Sequence, residues 1–531
     1  MAPRKPTTTT TRNRKDASAK RAREPDASIL DGNPKRQRTA AQAQFHAHHT
    51  HAATATLVPP PTLPSQGQSQ PAAQRPGSTA PILNHPPLQH LNVYVMGANS
   101  GAELGLGPSV KSGNVRLLHR NPYLSGPAGV VQISLGAMHG VALTADNRIL
   151  TWGVNDHGAL GRDTAWEPNL VDADTNDDSD GDDEDEDDGD ELNPRESTPT
   201  QVDMSAVPPD TVFTQVAAAD NATFVLTNTG RVYGWGTFRS EDGKLTFSPT
   251  VRVQSRPALI IPVKDVVKIC CGSNHVMALT AHGFIYTWGR GTDGQLGRRF
   301  SSRVVNWAKE GLVPRKVASL KNIVDIGSGS NHSFAIERSG LVYGWGFNNA
   351  GQIGVVDNAG EYESAYDFAL TVAVPSLVKS LLGFPRIKQI TGGNFHTIAI
   401  TEDGTCLAWG RLYSYATGLS IDNLPPQFVV LDSRGKPSFL RVPTPVDGFS
   451  PAFVAAASEH SLAVTTDQKV FTWGLNLTKQ IGHKGEEVKV ATPITHVRHP
   501  ALVNTRLVWA GAGAQYSMLA EHSFAALQPQ R

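Results

Sequence analysis

Along most of this chain, short apolar runs alternate with polar positions at a period of two, and each run is bounded by Gly, Asp or Asn. HGVALT at His139–Thr144 and RILTWG at Arg148–Gly153 are typical. Period-two alternation punctuated by turn residues predicts β-hairpins. No amphipathic helical pattern of comparable strength occurs between them. The hairpins belong to a longer repeated phrase. One copy reads VQISLGAMHGVALTADNRILTWG from Val131 to Gly153 and closes with GALG at Gly158–Gly161. Another reads VKICCGSNHVMALTAHGFIYTWG from Val267 to Gly289 and closes with GQLG at Gly294–Gly297. Trp-Gly recurs at Trp152, Trp235, Trp288, Trp345, Trp409 and Trp473, with spacings of 83, 53, 57, 64 and 64 residues. The first gap is lengthened by an acidic run, so the unit is about 50–65 residues, the size of a propeller blade.

The two ends of the repeat region complement each other. LVWAGAGAQYSMLAE at Leu507–Glu521 has the inner-strand half of a repeat and lacks Trp-Gly, whereas LNVYVMGANSGAELGLG at Leu91–Gly107 supplies the missing half. Two such halves predict ring closure, which leaves few exposed sheet edges. The expected architecture is all-β: a seven-bladed β-propeller over 91–521, closed by pairing N- and C-terminal strands in one blade.

Composition adds flanking segments to this picture. The 531 residues carry 48 Lys and Arg against 48 Asp and Glu. That neutrality conceals a separation of sign. Residues 1–40 hold eleven Lys or Arg against four acids, and residues 172–191 hold fourteen Asp or Glu with no base. Blocks of this kind read as disordered interaction segments. Residues 1–90 are expected to form a disordered tail, basic at first and then Pro/Gln/His-rich. Residues 167–197 are expected to form an acidic disordered loop inserted in the propeller, and residues 522–531 a C-terminal tail. Cys270, Cys271 and Cys406 lack metal-ligand spacing and fall inside strand patterns, as core residues of a reduced, intracellular protein do. No secretory segment or membrane-spanning apolar run is present.

Candidate chemistry lies mostly in charge. Lys20, Arg21 and Arg23, then Lys35, Arg36 and Arg38, form two basic clusters suited to a bipartite nuclear import signal and to polyanion binding. The alternative is a solubilising tail. The acidic run suits basic histones, or is a solvated insertion. His139, His275, His332, His396 and His460 recur at one repeat position, which places them around a ring and favours a scaffold role over metal binding. Asp220-Asn221-Ala222 and Gln515-Tyr516 break that rule, and breaks in local consistency tend to mark functional sites. The tract His46, His48, His49 and His51 reads as low-complexity tail. No phosphate loop, nucleophile elbow, dinucleotide fingerprint or paired-carboxylate motif occurs in the repeats. No cofactor or metal is expected, and covalent catalysis in the central channel has no residues to support it.

These repeats resemble those of the regulator of chromosome condensation, the chromatin-bound exchange factor for the small GTPase Ran, over Leu91 to Glu521. ALGRDT at Ala159–Thr164 is similar to that family's first-blade ending. WGTFRSEDGK at Trp235–Lys244 is similar to its wedge, the hairpin that presses on the GTPase nucleotide site. The resemblance implies a nuclear, chromatin-associated, monomeric exchange factor that stabilises nucleotide-free Ran so that GTP replaces GDP, without covalent chemistry. Its implied partners are Ran, core histones, DNA and, through the basic tail, importin. The alternative is a non-catalytic propeller scaffold recruiting partners to chromatin or microtubules. By resemblance, Asp220, Arg298, His139, Asn274, Asn349, Phe395 and Tyr516 face the GTPase. Arg239, Ser240, Glu241, Asp242, Gly243 and Lys244 form the wedge. Asn274 stands where the family's better-known member has Asp, and Phe395 and Tyr516 stand where it has His. The loop Arg298–Gly311 resembles the segment that touches the nucleosome, with Arg299, Arg303 and Lys309 as anchors beside the basic tail residues.

Overall fold

The computed structural model describes residues 81–167, 190–240, 243–300, 307–355, 370–496 and 498–523. The basic clusters, the His-rich tract, most of the acidic run, Glu241, Asp242 and Arg303 lie outside those residues.

Each repeat folds into one antiparallel sheet, and the described residues form seven such blades. The inner three strands are Val130–Leu135, His139–Thr144 and Ile149–Gly153 in blade 1, and Phe213–Ala218, Ala222–Thr227 and Val232–Gly236 in blade 2. Blade 3 has Val266–Cys271, His275–Thr280 and Ile285–Gly289; blade 4 has Ile323–Ser328, His332–Glu337 and Val342–Phe347. Blade 5 has Ile387–Gly392, His396–Thr401 and Cys406–Arg411; blade 6 has Pro451–Ala456, His460–Thr465 and Val470–Leu475. Blade 7 combines Leu507–Ala512 and Tyr516–His522 with Leu91–Ala98, followed outward by Asn114–Arg120. Its register runs antiparallel from Leu91 opposite His522 to Gly97 opposite Tyr516. The expected seven-bladed closure is therefore the observed one.

Period two does a specific job here. Successive side chains of a strand point to opposite faces, and each face of a blade meets a different neighbour. Val216, Ala218 and Val225 of blade 2 pack with Val131, Val141 and Leu143 of blade 1. Ala217, Phe224 and Leu226 of the same strands pack with Val266, Ile269 and Val276 of blade 3. Inner strands are consequently buried on both faces, as in HGVALT of blade 1. Outer strands meet solvent, as in the mostly exposed or half-buried EVKVATP of blade 6.

Every innermost strand shifts register near its start, between Val130 and Gln132 in blade 1 and between Phe213 and Gln215 in blade 2. Such bulges re-aim side chains. Here they turn Gln132 to accept from Val216 N, and Gln215 to bond both N and O of Ile269 across the next seam. Cys270, Cys271 and Cys406 are buried and free, as the strand pattern implied. Among the described residues, no helix is long and apolar enough to cross a membrane.

Candidate functional site

The recurrent histidines, tryptophans and tight glycine turns converge on one device at the seams between blades. In seam 1/2 the His139 ring bonds Thr223 Oγ1 at 3.0 Å. That hydroxyl donates to Ala159 O at 2.8 Å, and the same carbonyl accepts the Trp235 indole N–H at 2.8 Å. Seams 3/4, 4/5 and 5/6 repeat the relay. Their members are His275, Ser333, Gln295 O and Trp345; His332, Thr397, Gln352 O and Trp409; and His396, Ser461, Ala416 O and Trp473.

A hydroxyl has one proton to give, and it goes to the carbonyl. Each histidine must therefore donate from Nε2, as a neutral ring. Burial enforces neutrality, pushing the His139 ring down to about 4 and the His275, His332, His396 and His460 rings down to about 3. The turn glycine is required because Gly161, at φ +66°, sits so close that a Cβ would lie 2.7 Å from Trp235 Nε1. In seam 6/7 the His460–Ser517 bond persists at 3.1 Å. In seam 7/1 the Tyr516 hydroxyl takes the histidine's place, lying 2.9 Å from His139 O and 3.1 Å from Gly136 O.

Seam 2/3 has none of this relay. Ala222 occupies the histidine position and Val276 the hydroxyl position, while WGTFRSEDGK replaces the glycine turn. Aromatic stacking fills the space. Phe238 and Phe247 lie parallel with centroids 6.0 Å apart, and both stack on Phe224 at 6.1 and 6.3 Å. Trp288 meets Phe224 edge-on at 5.8 Å. A cavity of about 250 Å³ remains beneath, lined in part by Phe247, Ile260, Trp288 and Leu312.

Those two phenylalanines bracket a hairpin. Phe238–Arg239 pairs antiparallel with Leu245–Thr246. Its root is fixed by Thr237 N donating to Asn221 O at 2.8 Å and Thr237 Oγ1 donating to Arg252 O at 2.8 Å. Blade 3 adds a buttress, since Asn274 Oδ1 accepts from Arg239 N at 2.7 Å. Beyond this root, Arg239, Gly243 and Lys244 are exposed. The hairpin is thus anchored by stacked rings and exposes Arg239, Gly243 and Lys244 beyond them, a geometry suited to pushing on another surface.

The other residues singled out by sequence have mixed placements. Asp220 lies in the turn before Ala222, yet it is only 6% exposed, and its N–H donates to Ser273 O at 3.0 Å. The turn is packed against blade 3, so Asp220 is covered. His139 and Tyr516 lie inside seams, and Asn274 is 2% exposed beneath the hairpin, so none of the three presents its side chain at the surface. The Arg298 guanidinium clamps its own loop, donating to Thr287 O at 3.0 Å and Glu310 O at 3.1 Å. Burial pushes it down to about 10. Arg162 makes the equivalent clamp in blade 1, to Thr151 O and Arg195 O. Phe395 is half-buried beneath the Arg411 guanidinium, 3.3 Å from its ring centroid, and Arg411 pairs with Glu459 at 3.4 Å. The Asn349 side-chain oxygen makes no hydrogen bond. Arg299 and Lys309 are exposed on the loop that leaves blade 3 at the same end as the hairpin leaves blade 2.

The repeat order, the closing blade and the hairpin together match a known pattern. The sequence profile described as the RCC1-like domain covers residues 92–519. The chain belongs to the RCC1-like domain family. Within it, the chain is 38% identical to "Protein pim1" of Schizosaccharomyces pombe, over 84% of this chain and 77% of that protein. It is 33% identical to "Guanine nucleotide exchange factor SRM1" of Saccharomyces cerevisiae, over 81% of this chain and 87% of that protein. The solved structure of Prp20p from Saccharomyces cerevisiae, described with its binding to Gsp1p and histones, superposes with a TM-score of 0.70 at 29% identity. That superposition covers 84% of this chain and 94% of Prp20p. Four seams of this ring carry the relay, and the sequence marked its histidines, tryptophans and glycine turns but not the hydroxyls of Thr223, Ser333, Thr397 and Ser461 that link them. Sequence reasoning also missed Phe224, Phe247 and Arg411, although the absent glycine turn in the second repeat marked the place where the aromatic stack stands.

Proposed function

We propose that this protein is a guanine-nucleotide exchange factor for the small GTPase Ran, acting on chromatin. The observation that carries the reading is the hairpin of Arg239–Lys244, rooted in seam 2/3 of an RCC1-like ring whose relatives include a guanine nucleotide exchange factor. Such a factor makes and breaks no covalent bond. It binds the nucleotide-free GTPase far more tightly than the loaded one, and by reciprocity nucleotide affinity falls by the same factor. A rigid ring holds the binding face, and the anchored hairpin perturbs the nucleotide site. Both nucleotides are released, so the GTP to GDP ratio sets the direction of exchange.

Two charged elements supply location. The clusters Lys20–Arg23 and Lys35–Arg38 suit import through importin and contact with DNA phosphates. Arg299 and Lys309 are exposed cations suited to an acidic histone surface. Binding of histones by Prp20p supports this assignment.

Release of fluorescent GDP from Ran, with catalytic amounts of the full chain, tests the reading. Replacing Arg239–Lys244 with a two-glycine turn should abolish acceleration without shifting the melting temperature, because Phe238 and Phe247 remain. Asn274→Asp keeps the acceptor for Arg239 N and should retain exchange, whereas Asn274→Ala should slow it about tenfold, the effect of one lost buried hydrogen bond. A folded protein that leaves GDP release unchanged would instead be a chromatin-directed scaffold.

A further inference from the structure

Seam 2/3 lacks the histidine relay on the wedge side, and it is tied on the opposite face by a residue from outside the repeats. Before Leu91 the segment 81–90 runs away from blade 7, and its backbone N–H groups at Leu83 and Asn84 donate to Asn228 O at 2.7 and 3.1 Å. The Asn84 amide then spans the seam. Its Nδ2 donates to Thr227 O of blade 2 at 3.2 Å and to Val266 O of blade 3 at 2.8 Å. Both acceptors lie on strands that continue to the wedge face. Thr227 ends the strand that begins at Ala222, and Val266 begins the strand that leads to the turn holding Asn274.

In seam 1/2 the corresponding place is filled from within the repeat. Asn147 Nδ2 donates to Thr211 O at 2.8 Å, and Asn147 Oδ1 accepts from Phe213 N at 2.8 Å. Blade 2 has Gly230 at that turn position; its carbonyl accepts from Val266 N at 3.1 Å, but it has no side chain to offer. Asn84 adds a side-chain amide to this seam from a distant segment.

We propose that Asn84 is a positioning residue for the wedge: the strap 81–90 staples blades 2 and 3 so that Asn274 stays within reach of Arg239. A blade is a stiff sheet, so opening the seam at one end tilts it along its length. The Arg239–Asn274 bond crosses that same seam at the other end and is the first to feel the tilt. The kinetic part of the proposal rests on the exchange reading above; the structural part does not.

The test uses the full chain with Asn84→Ala, Asn84→Asp and Asn84→Gln. Hydrogen exchange in the free protein should quicken about tenfold at Val266–Cys271 and Phe238–Thr246, while Ile323–Ser328 and Ile387–Gly392 stay unchanged. Asn84→Asp should be worse than Asn84→Ala, since a carboxylate would face two carbonyl oxygens, and Asn84→Gln, which keeps an amide, should restore part of the protection. With Ran, Asn84→Ala should lower the maximal GDP release rate about fivefold at an unchanged half-saturating GTPase concentration. Unchanged exchange protection in Asn84→Asp overturns the staple. Faster exchange with an unaltered maximal rate overturns its role in positioning. If the unmodified chain does not release GDP from Ran at all, the exchange reading fails while the hydrogen-exchange result still decides the staple.

Discussion

Seams 3/4 and 2/3 share blade 3 and solve the same packing problem differently. Seam 3/4 is held by a directional chain from His275 through Ser333 to Gln295 O, joined there by Trp345. Seam 2/3 replaces every polar member with apolar surface, and three phenylalanine rings stack where the glycine turn would stand. Hydrogen bonds fix angle and register, whereas stacked rings fix only separation. The ring therefore carries the relay where it is merely scaffold, whereas at the hairpin seam stacked rings take the relay's place beside the bonds from Gln215 to Ile269 and from Asp220 N to Ser273 O. That contrast explains why the hairpin needs two outside supports, Asn274 from blade 3 and Asn84 from the strap.

The largest test of the contrast is acid. The four relay histidines and His460 are held at about 3 to 4 in the folded state, against roughly 6.5 in an unfolded chain. Depressed folded values mean that the unfolded state takes up protons first, so the contribution is full above pH ~6.5 and is lost as pH falls. At pH 5.5 each ring should cost about 1.4 kcal/mol, and the five together about 7 kcal/mol. Urea unfolding at pH 7.5 and 5.5 measures this, and a flat midpoint between them would mean that the relays are not the neutral rings described here. Seam 2/3, with no relay histidine, should be spared in the same titration.

A smaller effect separates two tryptophans. Trp345→Ala and Trp288→Ala should each cost about 3–5 kcal/mol, the range for emptying a buried aromatic site. Trp345 should cost about 1 kcal/mol more, because it also loses its bond to Gln295 O. Equal denaturation midpoints would show that the indole bond adds nothing to packing. Smaller still is the exchange of one hydroxyl between seams. Thr397→Val breaks the relay of seam 4/5 and should cost about 1–3 kcal/mol. Val276→Thr should not compensate in seam 2/3, where the apolar neighbours Phe224 and Trp288 offer no carbonyl acceptor. A stabilised Val276→Thr protein would show that seam 2/3 tolerates polar latching after all.

Much of this was legible in the sequence because repetition amplifies it. Trp-Gly, the glycine turn and the recurring histidine are each weak alone, but their fixed spacing dictates blades. The complementary halves at Leu91 and Leu507 dictate closure. The hairpin was legible as a break in the pattern at Trp235–Lys244. Burial was not. Asp220, His139 and Tyr516 sit in short turns or at strand starts, where the resemblance implied a partner-facing side chain, and only the packing of one blade on the next covers them. The Arg298 clamp was hidden for a similar reason, since its acceptors are backbone carbonyls that carry no sequence signal. Asn84 lies in PILNHPPLQH, a stretch without period, where nothing marks one residue as a tether.

The pairing of Leu91–Ala98 with Tyr516–His522 also has a consequence for synthesis. The two strands leave the ribosome more than four hundred residues apart, which at ordinary elongation rates is roughly half a minute. During that time Leu91–Ala98 can pair on its outer side with Asn114–Arg120, while its inner edge waits for the last strand of the ring. A nascent chain of this protein therefore carries an open β-edge throughout translation, and its need for chaperone cover should peak just before the final blade is made.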